Sequence, residues 1–277
     1  MKKNKSGTLL LVLVFFLGLS VMLYPTVSDA INRRHQSYAV SNYTQQVDSM
    51  TAADYSVWFD AADRFNAAIA ADPEALYHPD RFPAYDATLD ITGTGIMGYI
   101  TIPRINVELP IYHGTGDAVL QSGAGHLEGT SLPVGGESTH AVISAHRGLP
   151  RAKLFTHLDQ LEVGDTFTVT VLDRVLTYEV DKITIVLPTE VEDLKVVEGK
   201  DYLTLMTCTP YGINTHRLLV RGRRIVTPDN LKHIRVTSEA VRIDPIITAP
   251  LMALPLLVVL LVVLLGGGRK KKKHLKP

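Results

Sequence analysis

The spacing of apolar side chains changes character several times along this chain, and each change predicts an element. Residues 8–24 are apolar and uncharged and follow Lys2, Lys3 and Lys5, which fits either a signal sequence or a short membrane helix. Residues 31–72 carry a helical pattern. Tyr55, Trp58, Phe59, Ala62, Phe65, Ala68 and Ile69 recur at three- and four-residue steps, predicting one apolar stripe that packs against a domain. Thr51 followed by Asp54 predicts a cap for that helix, and the more polar stretch 31–50 predicts a preceding helix or stalk. From 73 to 95 the period is lost, with Pro73, Pro79, Pro83, Gly93 and Gly95 interrupting it. A connection of that length inside a compact domain is functional or disordered.

Short β-type runs follow at 97–102, 107–112, 141–144, 166–172, 176–181, 183–187, 203–207 and 215–224, separated by turn residues. Eight such runs, with short helices expected near 118–122 and 153–161, predict a closed or nearly closed β-barrel. Residues 246–265 are again uncharged and apolar, and three glycines and the run Arg269 to Lys273 follow. This pattern predicts a stop-transfer helix whose basic flank stays on the cytoplasmic side. The expected organisation is a cytoplasmic tail and membrane or signal segment at 1–30, N-terminal helices and an irregular loop at 31–95, a β-domain at 96–226, a juxtamembrane linker at 227–245, and a membrane helix with a basic tail at 246–277.

Charge supports that layout. The chain has 28 basic and 28 acidic residues, but nine of the basic ones sit in the first five and last nine positions. The stretch between is therefore acidic overall, which excludes a basic nucleic-acid reader. Both basic tails are expected inside the cell membrane and the middle outside it.

That location gives weight to the single cysteine, Cys208. An unpaired thiol makes no intramolecular disulfide, and in an oxidising place it is a liability unless it is used. Cys208 ends one predicted strand, Thr209 to Asn214 is turn chemistry with Pro210 and Gly212, and Arg217 opens the next strand. A thiol and a permanent guanidinium charge therefore meet at one end of a sheet. Arg221 shares the face of Arg217 but lies about 13 Å further along the strand.

A free thiol has a pKa of about 8.5, so a partner base or cation is needed. Ten histidines compete for that role. His140 and His146 bracket the strand 141–144, so only one of them can reach the thiol. His146 is followed by Arg147-Gly148-Leu149-Pro150, a loop with room for a substrate. His140 reads as a structural residue, His126 as an outlying candidate, and His216 as facing away from Arg217 by strand alternation.

The run Thr204-Leu205-Met206-Thr207-Cys208, its extension CTPYGINTHRLLVRGRR, and the earlier blocks GYITIPRINVELPIYHGTG, GHLEGTSLPVGG and THAVISAHRGLPRAKLF resemble the sortases, the cysteine transpeptidases of Gram-positive cell surfaces, and within them the pilus-building class C. The resemblance runs from about Met97 to Arg224. It implies a mainly β fold: an eight-stranded sortase-type barrel with short helices, an N-terminal helical segment and flanking transmembrane helices. It further implies catalysis by Cys208, His146 and Arg217 without a cofactor or metal, with Thr207 and Thr209 as substrate-binding candidates. The family's histidine usually follows Thr-Gly or Ser-Gly, whereas this chain has Ser144-Ala145.

In class C the loop before the barrel is a lid bearing an Asp-Pro-aromatic triplet. The matching residues are Asp80-Arg81-Phe82, which implies that Asp80 faces Arg217 and Phe82 covers Cys208. The implied donor is a Leu-Pro-x-Thr-Gly (LPXTG) sorting signal cut between threonine and glycine, and the implied acceptor is a lysine amine on the next pilin subunit. Three other readings stand beside this one: a sortase that anchors proteins to peptidoglycan, a plain cysteine protease, and a membrane-tethered pilus scaffold with an inert cysteine.

Overall fold

A computed structural model describes residues 5–228. The described residues fall into two units, one up to Val27 and the other from Ser28 onward. The expected linker beyond residue 228 and the expected membrane helix and basic tail at 246–277 lie outside the described residues.

Helix α1 spans Lys5–Asp48. Its exposed side chains before residue 28 include Val14, Phe15, Leu17, Val21 and Met22, and α1 is long and apolar enough to cross a membrane. The more polar stretch after residue 30, read as a preceding helix or stalk, is part of the same helix. That stretch buries Val40, Tyr43 and Val47. The Tyr43 hydroxyl donates to the Met97 carbonyl (3.1 Å) and accepts from the Leu172 N–H (2.9 Å), and burial raises its pKa.

Helix α2, Ala52–Ala71, begins at the expected cap. Thr51 accepts from the Asp54 N–H, and the Asp54 carboxylate accepts from the Thr51 N–H at 2.8 Å. The predicted stripe is buried at Phe59, Ala62, Phe65 and Ile69. Asn66, on the same face, is satisfied by both backbone groups of Leu132 (3.1 and 2.7 Å).

Eight strands close a barrel in the order β1-β2-β3-β4-β7-β8-β6-β5. They are β1 Ile96–Ile102, β2 Val107–His113, β3 Ala124–His126, β4 Thr139–Ser144, β5 Thr166–Val171, β6 Arg174–Val186, β7 Asp201–Thr209 and β8 His216–Ile225. The number matches the expectation, but by a different division. The runs at 176–181 and 183–187 are one strand, β6, whose register against β8 shifts between Val180 and Lys182. The eighth place is taken by β3, which at three residues is too short to show alternation in sequence.

Helix α3, Asp117–Ser122, forms as expected. The helix expected at 153–161 reduces to a single 3-10 turn at Leu158–Gln160. Its backbone N–H groups are engaged elsewhere: Lys153 donates to Asp29 (2.8 Å), Phe155 to the His146 carbonyl (3.1 Å).

Two contacts position the site. Strand β4 runs parallel to β7, with Ser144 opposite Met206, and β7 runs antiparallel to β8, with Cys208 opposite Arg217. A parallel neighbour places the end of β4 beside the end of β7, and an antiparallel one places the start of β8 there too.

Candidate active site

Alternation decides which side chains can meet. Ala141 and Ile143 of β4, Leu203 and Leu205 of β7, and Leu218 and Val220 of β8 belong to the main core inside the barrel. Val142, Met206 and Leu219 form a second apolar cluster on the opposite face of the same strands. Stepping two residues at a time along that outer face leads from Met206 to Cys208 and from Leu219 to Arg217.

His146 arrives by the same arithmetic. After the Ser144–Met206 pair, the Ala145 N–H still donates to the Met206 carbonyl (3.2 Å), so one further step brings His146 level with Cys208. Strand parity puts Cys208 and Arg217 on one face of β7 and β8, and His146, two residues past the end of β4, follows toward the same end of the sheet. Neighbouring strands are about 4.8 Å apart, and such a spacing lets imidazole, thiol and guanidinium converge on one substrate bond.

Cys208 is half-buried. Arg217 rests on backbone, its Nη1 donating to the carbonyl oxygens of Asn214 (3.3 Å) and His216 (3.2 Å). It forms no ion pair with a carboxylate among the described residues, so its charge is available to a ligand. Arg221, on the same face, is held at both ends: Nε and Nη2 each lie 2.9 Å from the Asp181 carboxylate, and the guanidinium lies 4.2 Å from the Tyr202 ring centroid.

The two threonines flanking the thiol point the other way. Thr207 is buried and its hydroxyl donates to the Ala145 carbonyl (2.8 Å). Thr209 is buried, and its hydroxyl accepts a long 3.4 Å contact from Arg147 Nη1. By strand alternation neither shares the face of Cys208. Both anchor the loop that carries His146.

Asp80 and Phe82 also lie elsewhere. Asp80 is exposed in the 3-10 turn Pro79–Arg81, Arg81 turns back to Asp72 (3.0 Å), and the Phe82 ring packs 5.7 Å from that of Phe65 in α2. The expected pairing of Asp80 with Arg217 is not formed, and Phe82 is engaged with α2 instead of the thiol. The residue of this segment that reaches the thiol's face is Leu76, packed against the Val142–Leu194–Leu219 cluster. No period in the sequence marks Leu76, since the loop around it has none.

His140 and His126 are both buried and neutral. His140 lies 2.8 Å from the Lys195 carbonyl and from the Thr204 hydroxyl. His126 bridges the Ser131 carbonyl (2.8 Å) and the Tyr85 hydroxyl (2.9 Å). Burial pushes each down to about 4 from an ordinary 6.5. The sign of the linkage follows: their stabilisation is complete above pH 6.5 and is lost as pH falls from 6.5 through about 4, by up to about 3 kcal/mol per group. Urea unfolding at pH 7 and pH 4.5 is expected to show the loss, and His140→Gln to reduce it. An unchanged slope in that variant would place the acid sensitivity in other groups.

The sequence pattern of the family described as "Sortase domain" matches residues 100–225. Sortase A of Streptococcus agalactiae serotype III (strain NEM316) is 35% identical over 117 residues, covering 41% of this chain, and the chain spans about half, 47%, of that relative's length. Among solved structures, sortase C1 from Streptococcus agalactiae is 47% identical with a TM-score of 0.64, covering 69% of this chain and 100% of that one. Sortase C of Streptococcus pneumoniae, described with respect to its pilin substrate specificity, is 46% identical with a TM-score of 0.63, covering 69% and 97%.

Proposed function

This chain belongs to the sortase family, among its class C members, and on that premise we propose that it is a membrane-anchored transpeptidase that joins pilin subunits through isopeptide bonds. The observation that supports this reading is the pairing of Cys208 with Arg217 across β7 and β8, with His146 just past the end of the neighbouring strand β4. The Cys208 thiolate attacks the carbonyl carbon of the Thr–Gly bond in an LPXTG-type signal. Arg217, with backbone N–H groups, stabilises the negative charge that develops on the carbonyl oxygen. His146 gives a proton to the leaving glycine amine, and the threonyl carbonyl remains on sulfur as a thioester. A lysine amine of the next pilin then attacks the thioester, His146 takes its proton, and the thiolate leaves.

The apolar stretch of α1 supports a membrane anchor, with the β-domain outside and both basic tails in the cytoplasm. Substrate signals tethered in the same membrane meet the enzyme at raised effective concentration.

The test uses the full chain in detergent with an LPXTG peptide. Intact mass is expected to show an acyl adduct, and adding a lysine-bearing peptide is expected to convert it to amide. Hydrolysis undiverted by any amine would favour the protease reading. An amide formed only with a wall-precursor amine would favour peptidoglycan anchoring.

Segment 73–95 acts as a lid in this reading, with Leu76 as its anchor on the thiol's face. Leu76→Ala is expected to speed iodoacetamide alkylation of Cys208 several-fold, because a partly buried leucine contact of this kind is worth about 1–2 kcal/mol. Asp80→Ala is expected to leave that rate unchanged, and the reverse result would restore Asp80 as the anchor.

A further inference from the structure

Arg147 is the residue next to the proposed acid–base histidine, and its surroundings are unlike those of a surface arginine. Its side chain is only 10% exposed. Nη2 is paired with the Asp159 carboxylate in the 3-10 turn Leu158–Gln160, and Nη1 lies 3.4 Å from the Thr209 hydroxyl at the end of β7. The guanidinium lies 5.9 Å from the ring centroid of Tyr211, in the β7–β8 loop. Its Nε is buried and has no partner among the described residues.

The neighbouring backbone is shaped to the same contact. Gly148 has φ +79, and a Cβ there would come within 3.1 Å of the Tyr211 ring, so only glycine allows the loop to lie flat under that ring. The Gly148 N–H donates to the Thr156 hydroxyl (3.2 Å) and the His146 carbonyl accepts from Phe155. Arg147 therefore ties together three segments: its own loop, the turn carrying Asp159, and the loop that follows Cys208.

We infer that Arg147, neutralised by Asp159, is a positioning residue that sets both the place of the His146 loop against Cys208 and the charge balance of the thiol–imidazole pair. The inference rests on the proposed roles of Cys208 and His146. A planar fork that binds a carboxylate with one nitrogen and a hydroxyl with another holds a loop in a way a lysine does not. The charged and titratable groups on the segments that Arg147 joins are His146 on its own loop, Asp159 and His157 at the turn, Tyr211 in the β7–β8 loop, and Cys208 and Arg217 at the strand ends flanking that loop. In that set the Arg147–Asp159 pair contributes no net charge while it is intact. Removing either partner exposes the other.

The experiment is the pH dependence of iodoacetamide alkylation of Cys208 in the full chain in detergent, together with the rate of acyl adduct formation on an LPXTG peptide. Asp159→Asn leaves an uncompensated positive charge beside the pair and is expected to move the alkylation profile to lower pH. Arg147→Gln leaves a negative charge and is expected to move it to higher pH, each by roughly half a pH unit for charges partly screened by water. Arg147→Lys keeps the charge and loses the fork, so the profile is expected to stay in place while adduct formation slows at least tenfold.

Shifts of opposite sign cannot come from a loop that has merely loosened, which would move both variants the same way. Equal displacement of Asp159→Asn and Arg147→Gln, no displacement of either, or a wild-type adduct rate in Arg147→Lys would overturn the inference. Wild-type protein that alkylates at Cys208 yet forms no adduct would instead count against the proposed function. A circular dichroism melt of each variant separates these results from loss of fold.

Discussion

Replacing Cys208 with alanine is expected to abolish adduct formation, with acyl transfer falling on the order of 10⁴-fold or more, as when a nucleophile acting with its base is removed. The fold should tolerate the change. Cys208 is the last outward-facing residue of β7, half-buried, and its backbone continues the ladder with Arg217 whatever its side chain. Losing one sulfur there costs about 1 kcal/mol or less. A large loss of turnover with an unchanged melt therefore assigns the chemistry to the thiol itself. The tethered-scaffold reading expects the opposite result, assembly undisturbed by the alanine. Intact mass and thermal unfolding of the same sample distinguish the two readings.

How much of this was legible in the sequence depended on whether a feature repeats. The capping box at Thr51 and the stripe Phe59, Ala62, Phe65, Ile69 are local and periodic, and both formed, although Ala68, read as part of the stripe, is exposed. So did the ends of β7 and β8 around the turn at Pro210 and Gly212, which put Arg217 across from Cys208. Strand β3 was missed because three residues carry no period. Strand β6 was read as two because the charged pair Asp181-Lys182, at a register shift, interrupts the apolar run.

The site was legible where it follows strand parity and obscure where it follows tertiary packing. Parity alone puts Cys208 on the face opposite Thr207 and Thr209, a relation legible in the sequence. The parallel neighbourhood of β4 and β7, which sets the strand end before His146 beside the end of β7, is a property of the barrel's strand order. No local pattern encodes that neighbourhood. The placing of Asp80 and Phe82 depended on a family triplet whose proline is Arg81 here. That arginine finds Asp72 and Phe82 finds Phe65, so the segment follows α2 and presents Leu76 to the thiol's face.

Arg217→Ala is expected to lower the rate of adduct formation by about 10² to 10³, the loss typical of one oxyanion-stabilising donor. The argument turns on comparing it with Arg221. Both lie on the outer face of β8, four residues apart, and both are permanent cations. Arg221 is committed: its two bonds to Asp181 and its stacking on Tyr202 leave little to offer a substrate. Arg221→Ala should therefore strip Asp181 of its partner and lower stability while leaving turnover close to wild type. Arg217 donates only to two carbonyl oxygens of its own turn, contacts a substrate oxyanion would replace without breaking an ion pair. Arg217→Ala should therefore leave the melt unchanged and lower kcat. Arg217→Lys should recover part of the loss, since a point charge remains but the planar fork does not. A rise in KM with kcat intact would make Arg217 a substrate-binding residue whose contact is equal in ground and transition states. A loss of stability matching that of Arg221→Ala would make it structural, and the charge opposite Cys208 would then have to come from backbone N–H groups alone.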